Sequence, residues 1–349
     1  MKKSIKRREF IKTTAAGGIG LGLTSKLISV KGIDNTQAKR IGIIGLDTSH
    51  STAFTKALND PAAGPEFGGY RVVAAYPKGS NDIRSSADRI PAYTEEVKKQ
   101  GVEIASSIDE LLGKVDYILL ETNDGRLHFN QALQVFKAGK PVFIDKPIAA
   151  SLTDAIAIFQ AAKLYNVPVF SSSSLRYISG AQEIADGIAG KVLGAYTYSP
   201  ATIEKTHPDL FWYGVHGVEI LFTIMGTGCK TVVRTYTENT DVVTGKWQDN
   251  RIGTYRGIRN GKSDYGATVF GETGITSLGK YSGYNPLLIE IIRFFQTGVV
   301  PVSPDETKEI FTFMAAAEES KLRGGAIVEM EEVVGKAKEE ANLIISKIK

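Results

Sequence analysis

Cysteine and histidine are scarce in this sequence, and their scarcity excludes whole classes of site. One cysteine, Cys229, is present, so the chain forms no intrachain disulfide and no thiolate-ligated metal cluster. The four histidines argue against a histidine-rich metal centre. His207, Asp209, His216 and Glu219 lie close together in the sequence, but their spacing follows no strict ligand pattern, so we predict no metal site.

A net positive charge is lacking outside the N-terminal segment. The chain has a formal net charge of +4, and residues 1–38 contribute +6 through eight Lys or Arg and two acids, which leaves −2 for the remainder. A nearly neutral body gives no electrostatic reason to bind nucleic acid or an anionic membrane. We also expect no membrane span in the mature body.

The N-terminal segment has the pattern of an export signal. Residues 6–12 read Lys-Arg-Arg-Glu-Phe-Ile-Lys, and a mildly apolar, glycine-rich run follows over residues 13–23. This run is too short to span a bilayer as a stable anchor. The paired arginines resemble the twin-arginine (Tat) signal, which implies that the Tat machinery exports the folded chain to the periplasm or beyond. We therefore assign residues 1–38 as an export leader.

Short apolar runs alternate with helical patterns from residue 39 to residue 147. This alternation predicts an α/β domain with a doubly wound parallel sheet of the Rossmann type, which would bind a dinucleotide. The predicted strands are residues 41–45, 72–76, 117–120 and 142–144. The predicted helices are residues 51–59, 92–100, 107–112 and 126–138.

Residues 148–330 predict a second domain of the α+β class with a large, mostly antiparallel sheet. Asn260-Gly261 is a strong hairpin-turn signal between two of its strands. A C-terminal helix is predicted over residues 331–349. The predicted strands are residues 195–202, 231–238, 241–247, 252–259, 266–271 and 275–280.

The loop after the first strand has only part of a dinucleotide fingerprint. Glycines would be expected at positions 45, 47 and 50, but only Gly45 is present, with Asp47 and His50 in the other places. One interpretation is that Asp47, Thr48 or Ser49 simply caps the next helix. The other is a modified loop that binds phosphates through backbone N–H groups and the hydroxyls of Thr48 and Ser49. On this second interpretation the cofactor-binding residues of the loop are Gly45, Asp47, Thr48 and Ser49, although Asp47 would place a carboxylate close to two phosphates.

The acidic residue that would bind the adenosine ribose is also missing after the second strand. Lys78 and Ser80 occupy this region, and they would suit a 2′-phosphate, although a surface loop explains them equally well. The choice between NAD and NADP therefore stays open.

Four segments carry a resemblance to a known family. Residues 138–147 read Ala-Gly-Lys-Pro-Val-Phe-Ile-Asp-Lys-Pro, which resembles the A-G-K-x-V-x-x-E-K-P segment of the Gfo/Idh/MocA oxidoreductases, with Asp145 in place of Glu. Residues 115–128, 287–298 and 315–325 resemble a strand and loop and two helices of the same family. The resemblance covers about residues 39–330. It implies that the cofactor is bound by residues of these segments, namely Thr122, Asn123, His128, Asp145 and Lys146.

The resemblance also implies two catalytic residues. Lys146 would lie at the carboxyl end of a parallel strand, where its ammonium can hydrogen-bond the substrate hydroxyl. His216 matches the family's acid–base histidine, but Trp212 stands where an aspartate often precedes it, which leaves the acid–base relay incomplete. Nearby aromatic and polar side chains offer stacking faces and donors to a sugar ring, although each could equally belong to the core. They are Arg176, Tyr177, His207, Trp212 and Tyr213.

These observations predict an exported NAD(P)-dependent oxidoreductase that acts on a sugar or cyclitol hydroxyl. One alternative is an enzyme that retains NAD and cleaves glycosides through transient oxidation. Another is a non-redox sugar-binding relative that has lost the dinucleotide. By analogy with the family we also expect a homo-oligomer.

Overall fold

The computed structural model describes residues 39–348, which form two sheets with helices packed around them. The predicted export leader, residues 1–38, lies outside the described residues. None of the described helices is both long and apolar enough to cross a bilayer.

The first sheet has six parallel strands in the order β3-β2-β1-β4-β5-β6. Its central strands are buried on both faces, because apolar residues fill every position of β4 and β5. The strand order reverses between β1 and β4, which opens a crevice at their carboxyl ends. The strands are Arg40–Ile44 (β1), Arg71–Tyr76 (β2), Glu103–Ile104 (β3), Tyr117–Leu120 (β4), Val142–Ile144 (β5) and Val169–Ser171 (β6).

The helices around this sheet confirm the predicted alternation, and the sixth strand lies beyond the predicted boundary at residue 147. Ser107, Asp124 and Ser151 start three of the helices, each accepting a backbone N–H of the first turn through its side chain. The helices are Ser49–Asn59 (α1), Arg84–Ala87 (α2), Ile90–Lys99 (α3), Ile108–Leu112 (α4), Gly125–Lys137 (α5) and Leu152–Leu164 (α6).

The second sheet has seven strands in the order β12-β11-β7-β10-β9-β8-β13, and only the pair β7 and β10 is parallel. The predicted fold class, a Rossmann-type sheet plus a mostly antiparallel one, is therefore confirmed. The strands are Val192–Pro200 (β7), Cys229–Thr237 (β8), Thr240–Trp247 (β9), Ile252–Ile258 (β10), Gly266–Gly271 (β11), Gly274–Ser277 (β12) and Val328–Glu329 (β13).

The hairpin predicted at Asn260-Gly261 is wrong. Gly261 has the positive φ of a turn (+76°), but the strands on either side of it do not pair with each other. β7 lies between β10 and β11, so the turn begins a connection across β7. A turn dipeptide specifies a local reversal, and here the pairing is decided by the strand that arrives from earlier in the chain.

Five further helices lie within residues 39–348. α9 packs Leu288, Ile291 and Ile292 into the same core as Ile41 and Ile43 of β1, so a late segment of the chain finishes the core of the first sheet. The predicted C-terminal helix corresponds to α11. The helices are Ala181–Ala185 (α7), Val215–Met225 (α8), Asn285–Thr297 (α9), Pro304–Leu322 (α10) and Met330–Ser346 (α11), with 3-10 turns at Pro65–Phe67 and Ser174–Tyr177 and a π-helical turn at Leu210–Gly214.

Candidate active site

A cavity of about 510 Å³ lies at the carboxyl ends of β1, β4 and β5, facing residues of the second half of the chain. Parallel sheets bind ligands in this position. The wall on the side of the first sheet consists of Thr48, Ser49, His50, Ser85, Arg89, Tyr93, Asn123, Asp145 and Lys146. The opposite wall consists of Ser174, Leu175, Pro200, Thr202, Trp212, Tyr213, His216, Tyr265, Tyr281 and Tyr284.

The loop between β1 and α1 passes very close to the end of β4. Gly45 has a φ of +91°, and a Cβ there would lie 2.5 Å from the backbone nitrogen of Thr122. Only glycine fits both the conformation and the space. Gly45 thus has the role that the first glycine of a dinucleotide fingerprint would have, which is to make the tight turn between strand and helix.

The N-terminus of α1 borders the cavity with two hydroxyl groups, those of Thr48 and Ser49. The Thr48 side chain does not cap α1, and its buried Oγ1 has no hydrogen-bond partner among the described residues. Ser49 Oγ is 3.0 Å from the hydroxyl of Tyr284 across the cavity. The N–H groups at a helix N-terminus and unpaired hydroxyls are the donors that phosphate groups use. The capping-only interpretation of Thr48 is therefore wrong.

Asp47 points away from the cavity, which corrects its assignment as a cofactor ligand. Its fully buried carboxylate accepts the backbone N–H of Asn123 at 3.0 Å and that of Ser80 at 3.4 Å. Burial raises the pKa of Asp47 to about 6. Asp47 therefore ties together the loops that follow β1, β2 and β4, and its charge does not face a pyrophosphate.

The loop after β4 contributes one predicted residue to the cavity wall. Asn123 lines the cavity, and its amide donates to Ser86 Oγ at 2.9 Å. His128 does not line it, because its two ring nitrogens contact the backbone oxygens of Thr122 (2.6 Å) and Ile148 (3.1 Å). We therefore correct His128 from a cofactor ligand to a residue that shapes the loop. Thr122 stays a prediction, since its buried Oγ1 has no hydrogen-bond partner among the described residues.

Lys78 lies exposed at the end of β2 and does not line the cavity. Its assignment to a 2′-phosphate stays a prediction.

Asp145, which follows β5, contacts a residue of α1 that the sequence analysis did not predict as its partner, His50. His50 Nδ1 lies 2.9 Å from Asp145 Oδ2 and 3.9 Å from Glu121 Oε2. Burial would raise the pKa of Asp145, but His50 and then Lys146 lower it overall. Burial raises the pKa of Glu121 well above its ordinary value, and the adjacent Asp145 carboxylate adds to this. His50, which occupies the place of a fingerprint glycine, thus connects α1 to the end of β5.

Lys146 and His216, the two predicted catalytic residues, lie in the same cavity and contact the same ring. Lys146 Nζ is 5.5 Å from the ring centroid of Tyr213, and the ring of His216 is 5.1 Å from it. The backbone N–H of Lys146 donates to Asp145 Oδ1 at 2.8 Å, which fixes the start of the lysine side chain. The Tyr213 ring therefore packs against both Lys146 and His216.

A serine orients His216, where the sequence pattern suggested that an aspartate was missing. Ser173 Oγ lies 2.7 Å from His216 Nδ1 and accepts the backbone N–H of Leu175 at 3.0 Å. Burial lowers the pKa of His216 well below its ordinary value, and the charges of Lys146 and His50 lower it further. The ring is therefore neutral near pH 7. If Nδ1–H donates to Ser173, Nε2 carries the lone pair that can accept a proton.

Aromatic side chains form the far wall. Tyr213 and Trp212 were predicted from the sequence, but three more tyrosines lie there as well: Tyr265, Tyr281 and Tyr284. Successive ring centroids from Tyr265 through Tyr281 to Tyr284 are 6.0 and 6.2 Å apart. No local sequence signal marks these three as site residues, because Tyr265 directly precedes β11, whereas Tyr281 and Tyr284 lie in the segment before α9.

Arg176 is not a substrate ligand, which corrects its assignment. Its buried guanidinium donates to Glu219 Oε1 at 2.6 Å and also pairs with Glu306. Ser172 Oγ donates to the same Glu219 oxygen at 3.2 Å. These contacts fix the loop of serines at residues 171–174 against α8 and α10. Arg176 therefore supports the cavity wall without lining the cavity.

Tyr177 and His207 are also corrected, because neither lines the cavity. Tyr177 packs against the core of the first sheet. His207 is buried with its ring 4.9 Å from that of Trp212, and its Nε2 is 3.5 Å from Asp124 Oδ1. His207 thus supports Trp212 from outside the cavity.

Comparison with known proteins finds, for residues 39–173, the family that the sequence motifs resemble. Residues 39–173 match the family model GFO_IDH_MocA, described as an oxidoreductase family with an NAD-binding Rossmann fold. Two curated relatives match in part. An "Uncharacterized oxidoreductase" of Streptococcus pneumoniae is 28% identical over 42% of this chain and 44% of its own length. The 1,5-anhydro-D-fructose reductase of Ensifer adhaerens is 33% identical over 32% of this chain and 33% of its own length. The chain thus spans less than half the length of these relatives.

The fold similarity extends over most of the chain. The scyllo-inositol dehydrogenase of Lactobacillus casei, solved with NAD(H) and scyllo-inositol, superimposes with a TM-score of 0.66 at 15% identity. The match covers 83% of this chain and 98% of that one. At this identity the likeness concerns the fold.

Proposed function

We propose that the chain is an oxidoreductase of the Gfo/Idh/MocA family, whose model with its NAD-binding Rossmann fold matches residues 39–173, and that it oxidises or reduces a ring carbon of a sugar or cyclitol with NAD or NADP. The observation that carries this proposal is the meeting of three groups in one cavity: the N-terminus of α1, Lys146 and His216.

The residues present fit a dinucleotide. The glycine at position 45 keeps the loop close to the sheet, the Thr48 hydroxyl is buried without a partner among the described residues, and Asp47 is turned away. The phosphates would be held by the first N–H groups of α1 with the hydroxyls of Thr48 and Ser49. Asn123 and Lys146 would border the nicotinamide end. When bound, the cofactor supplies the acceptor or donor of the hydride.

In the direction of oxidation, His216 and Lys146 act on the substrate hydroxyl. The Lys146 ammonium donates a hydrogen bond to the oxygen and stabilises the negative charge that develops there. The neutral ring of His216 accepts the hydroxyl proton at Nε2. Its lowered pKa means that the ring holds this proton weakly and passes it on readily, while Ser173 keeps the ring in position.

The cavity wall suits a neutral ring that carries several hydroxyls. Tyrosine and tryptophan rings offer apolar faces to the C–H groups of such a ring, and phenol hydroxyls offer donors and acceptors at its edge. The inositol-binding neighbour of the same fold supports a cyclitol or sugar, and the partial similarity to a sugar reductase agrees with this class.

The test is a hydride-transfer assay with a panel of inositols and pyranoses, in which the absorbance of the nicotinamide monitors the reaction. We expect activity with at least one compound, a loss of about 100-fold or more in kcat/KM for Lys146→Ala and for His216→Ala, and little change for Lys137→Ala, which removes an exposed lysine from the last turn of α5. Substrate cleavage without net cofactor reduction would instead indicate the transient-oxidation mechanism. Binding of a sugar with no dinucleotide affinity would contradict the proposal.

We further propose export by the Tat machinery, on the basis of Arg7 and Arg8 in the leader. The test is fractionation of cells that express the full chain and an Arg7→Lys/Arg8→Lys variant. Export of the first and retention of the second would support the proposal, whereas equal distribution would contradict it. A homo-oligomer also remains a proposal, which light scattering would test.

A further inference from the structure

Three side chains that can bind a metal ion meet at the carboxyl edge of the first sheet. His50 comes from the first turn of α1, Glu121 follows β4, and Asp145 follows β5. Because β1, β4 and β5 are neighbours in the sheet, the topology brings these residues together. One nitrogen or oxygen from each lies within 4.8 Å of the other two, and all three side chains are buried.

The polar atoms of this cluster are not satisfied by the described part of the protein. Both Glu121 oxygens, Asp145 Oδ2 and His50 Nδ1 lack a hydrogen bond of good geometry. The other Asp145 oxygen accepts the Lys146 backbone N–H. Glu121 is fully buried, and its Oε2 lies 3.9 Å from His50 Nδ1. His50 Nδ1 and Asp145 Oδ2 compensate each other at 2.9 Å, whereas both oxygens of the fully buried Glu121 have no hydrogen-bond partner among the described residues. Burying a carboxylate in this way is costly, which favours a further group beside it.

We propose that His50, Glu121 and Asp145 bind one divalent transition-metal ion. Two atoms bonded to the same ion at about 2.1 Å lie roughly 3 to 4 Å apart. The distances from His50 Nδ1 to Asp145 Oδ2 (2.9 Å) and to Glu121 Oε2 (3.9 Å) are close to this range. One imidazole and two carboxylates form a donor set suited to zinc or manganese.

The ion would have its open coordination positions toward the cavity. His50 and Asp145 line the cavity, whereas Glu121 lies behind them. Three protein ligands with at least one open position are typical of catalytic rather than structural sites. The ion would therefore face the same space as Lys146 and bind a water or hydroxyl oxygen there. This inference does not depend on the proposed redox reaction, because the ligands belong to the protein alone.

The experiment is a metal titration of the full chain without dinucleotide or substrate. The protein is dialysed against a chelator, titrated with Zn²⁺ and separately with Mn²⁺ by calorimetry, and desalted for metal analysis. We expect about one ion per chain, a rise in melting temperature on binding, and at least a tenfold loss of affinity in Glu121→Gln. Glu309→Gln is the control, because it removes a half-buried carboxylate whose partners, the backbone N–H groups of Gly228 and Cys229, lie outside the cluster, and it should bind as the wild type does.

Two results would overturn the proposal. One is the absence of stoichiometric binding by either ion, which would mean that the two carboxylates share a proton instead. The other is equal affinity in wild type and Glu121→Gln, which would place the ion elsewhere. If Glu121→Gln fails to fold by circular dichroism, His50→Asn takes its place with the same expectations. A failure here leaves the dinucleotide-binding result unchanged, so the two proposals fail separately.

Discussion

Replacing Asp47 with asparagine should change how the stability of the protein depends on pH. The pKa of Asp47 is about 6 in the folded protein and 3.8 in an ordinary environment, because burial disfavours the charged form. The folded state therefore binds this proton more tightly than the unfolded state. The resulting stability is fully present below a pH of about 3.8 and is lost as the pH rises to about 6.

The magnitude follows from the shift in pKa. A shift of about 2 units corresponds to roughly 3 kcal/mol over the whole range, and about 2 kcal/mol of this falls between pH ~4.5 and ~7.5. Asparagine does not titrate. It keeps an oxygen for the Asn123 N–H but loses the bond from Ser80, which costs about 1 kcal/mol at every pH. Relative to wild type, Asp47→Asn should therefore gain about 2 kcal/mol between these two pH values.

The assay is urea unfolding of both proteins across this pH range. Asp109→Asn, which removes an exposed carboxylate of α4, is the control for the loss of one negative charge. The reasoning is refuted if the difference between wild type and Asp47→Asn is constant with pH, or if the variant loses stability relative to wild type as the pH rises. Either result would mean that Asp47 is not a buried link between the loops.

Three further substitutions test the construction of the site. Gly45→Ala should lower the free energy of unfolding by about 1 to 3 kcal/mol through strain at positive φ and should also weaken dinucleotide binding, because its Cβ would displace the Thr122 backbone; urea unfolding and calorimetry measure the two effects, and a neutral result would contradict the close approach. Ser173→Ala should reduce kcat about tenfold with little change in KM and should shift the pH profile, because the ring of His216 loses the group that orients it; Ser173→Thr should restore activity, and an unchanged profile would argue against this role. Arg176→Met should cost about 3 to 5 kcal/mol of stability, because it leaves two carboxylates uncompensated; a loss of substrate affinity alone, at full stability, would instead favour the original assignment of Arg176 as a ligand.

The sequence was most informative where the pattern is local. Buried parallel strands appear as short apolar runs, so β4 and β5 were predicted with their observed bounds. The pairing of β10 and β11 with β7 was not predictable, because it depends on a strand more than fifty residues earlier. α9 was recognisable as a helix, but nothing in its own residues indicates that it packs on the first sheet.

The same distinction holds for the site. Lys146 and His216 were identified because they stand in recognisable segments. Asp47 was misjudged because a sequence gives the position of a side chain in the chain but not its direction, and this carboxylate points into the loop. Arg176 was misjudged for the same reason, since its partners Glu219 and Glu306 are distant in sequence. The three tyrosines of the far wall, Tyr265, Tyr281 and Tyr284, likewise come from separate segments and have no local sequence signal.

The proposed function depends most directly on whether the protein binds a dinucleotide. The purified, folded protein should be denatured and the released small molecules identified by mass spectrometry, with thermal unfolding measured in the presence of NAD and NADP. We predict either near-stoichiometric release of one of them or a clear rise in melting temperature on addition. If nothing is released and millimolar NAD and NADP both leave the melting temperature unchanged, the chain is not a nicotinamide-dependent enzyme, and the central claim is contradicted.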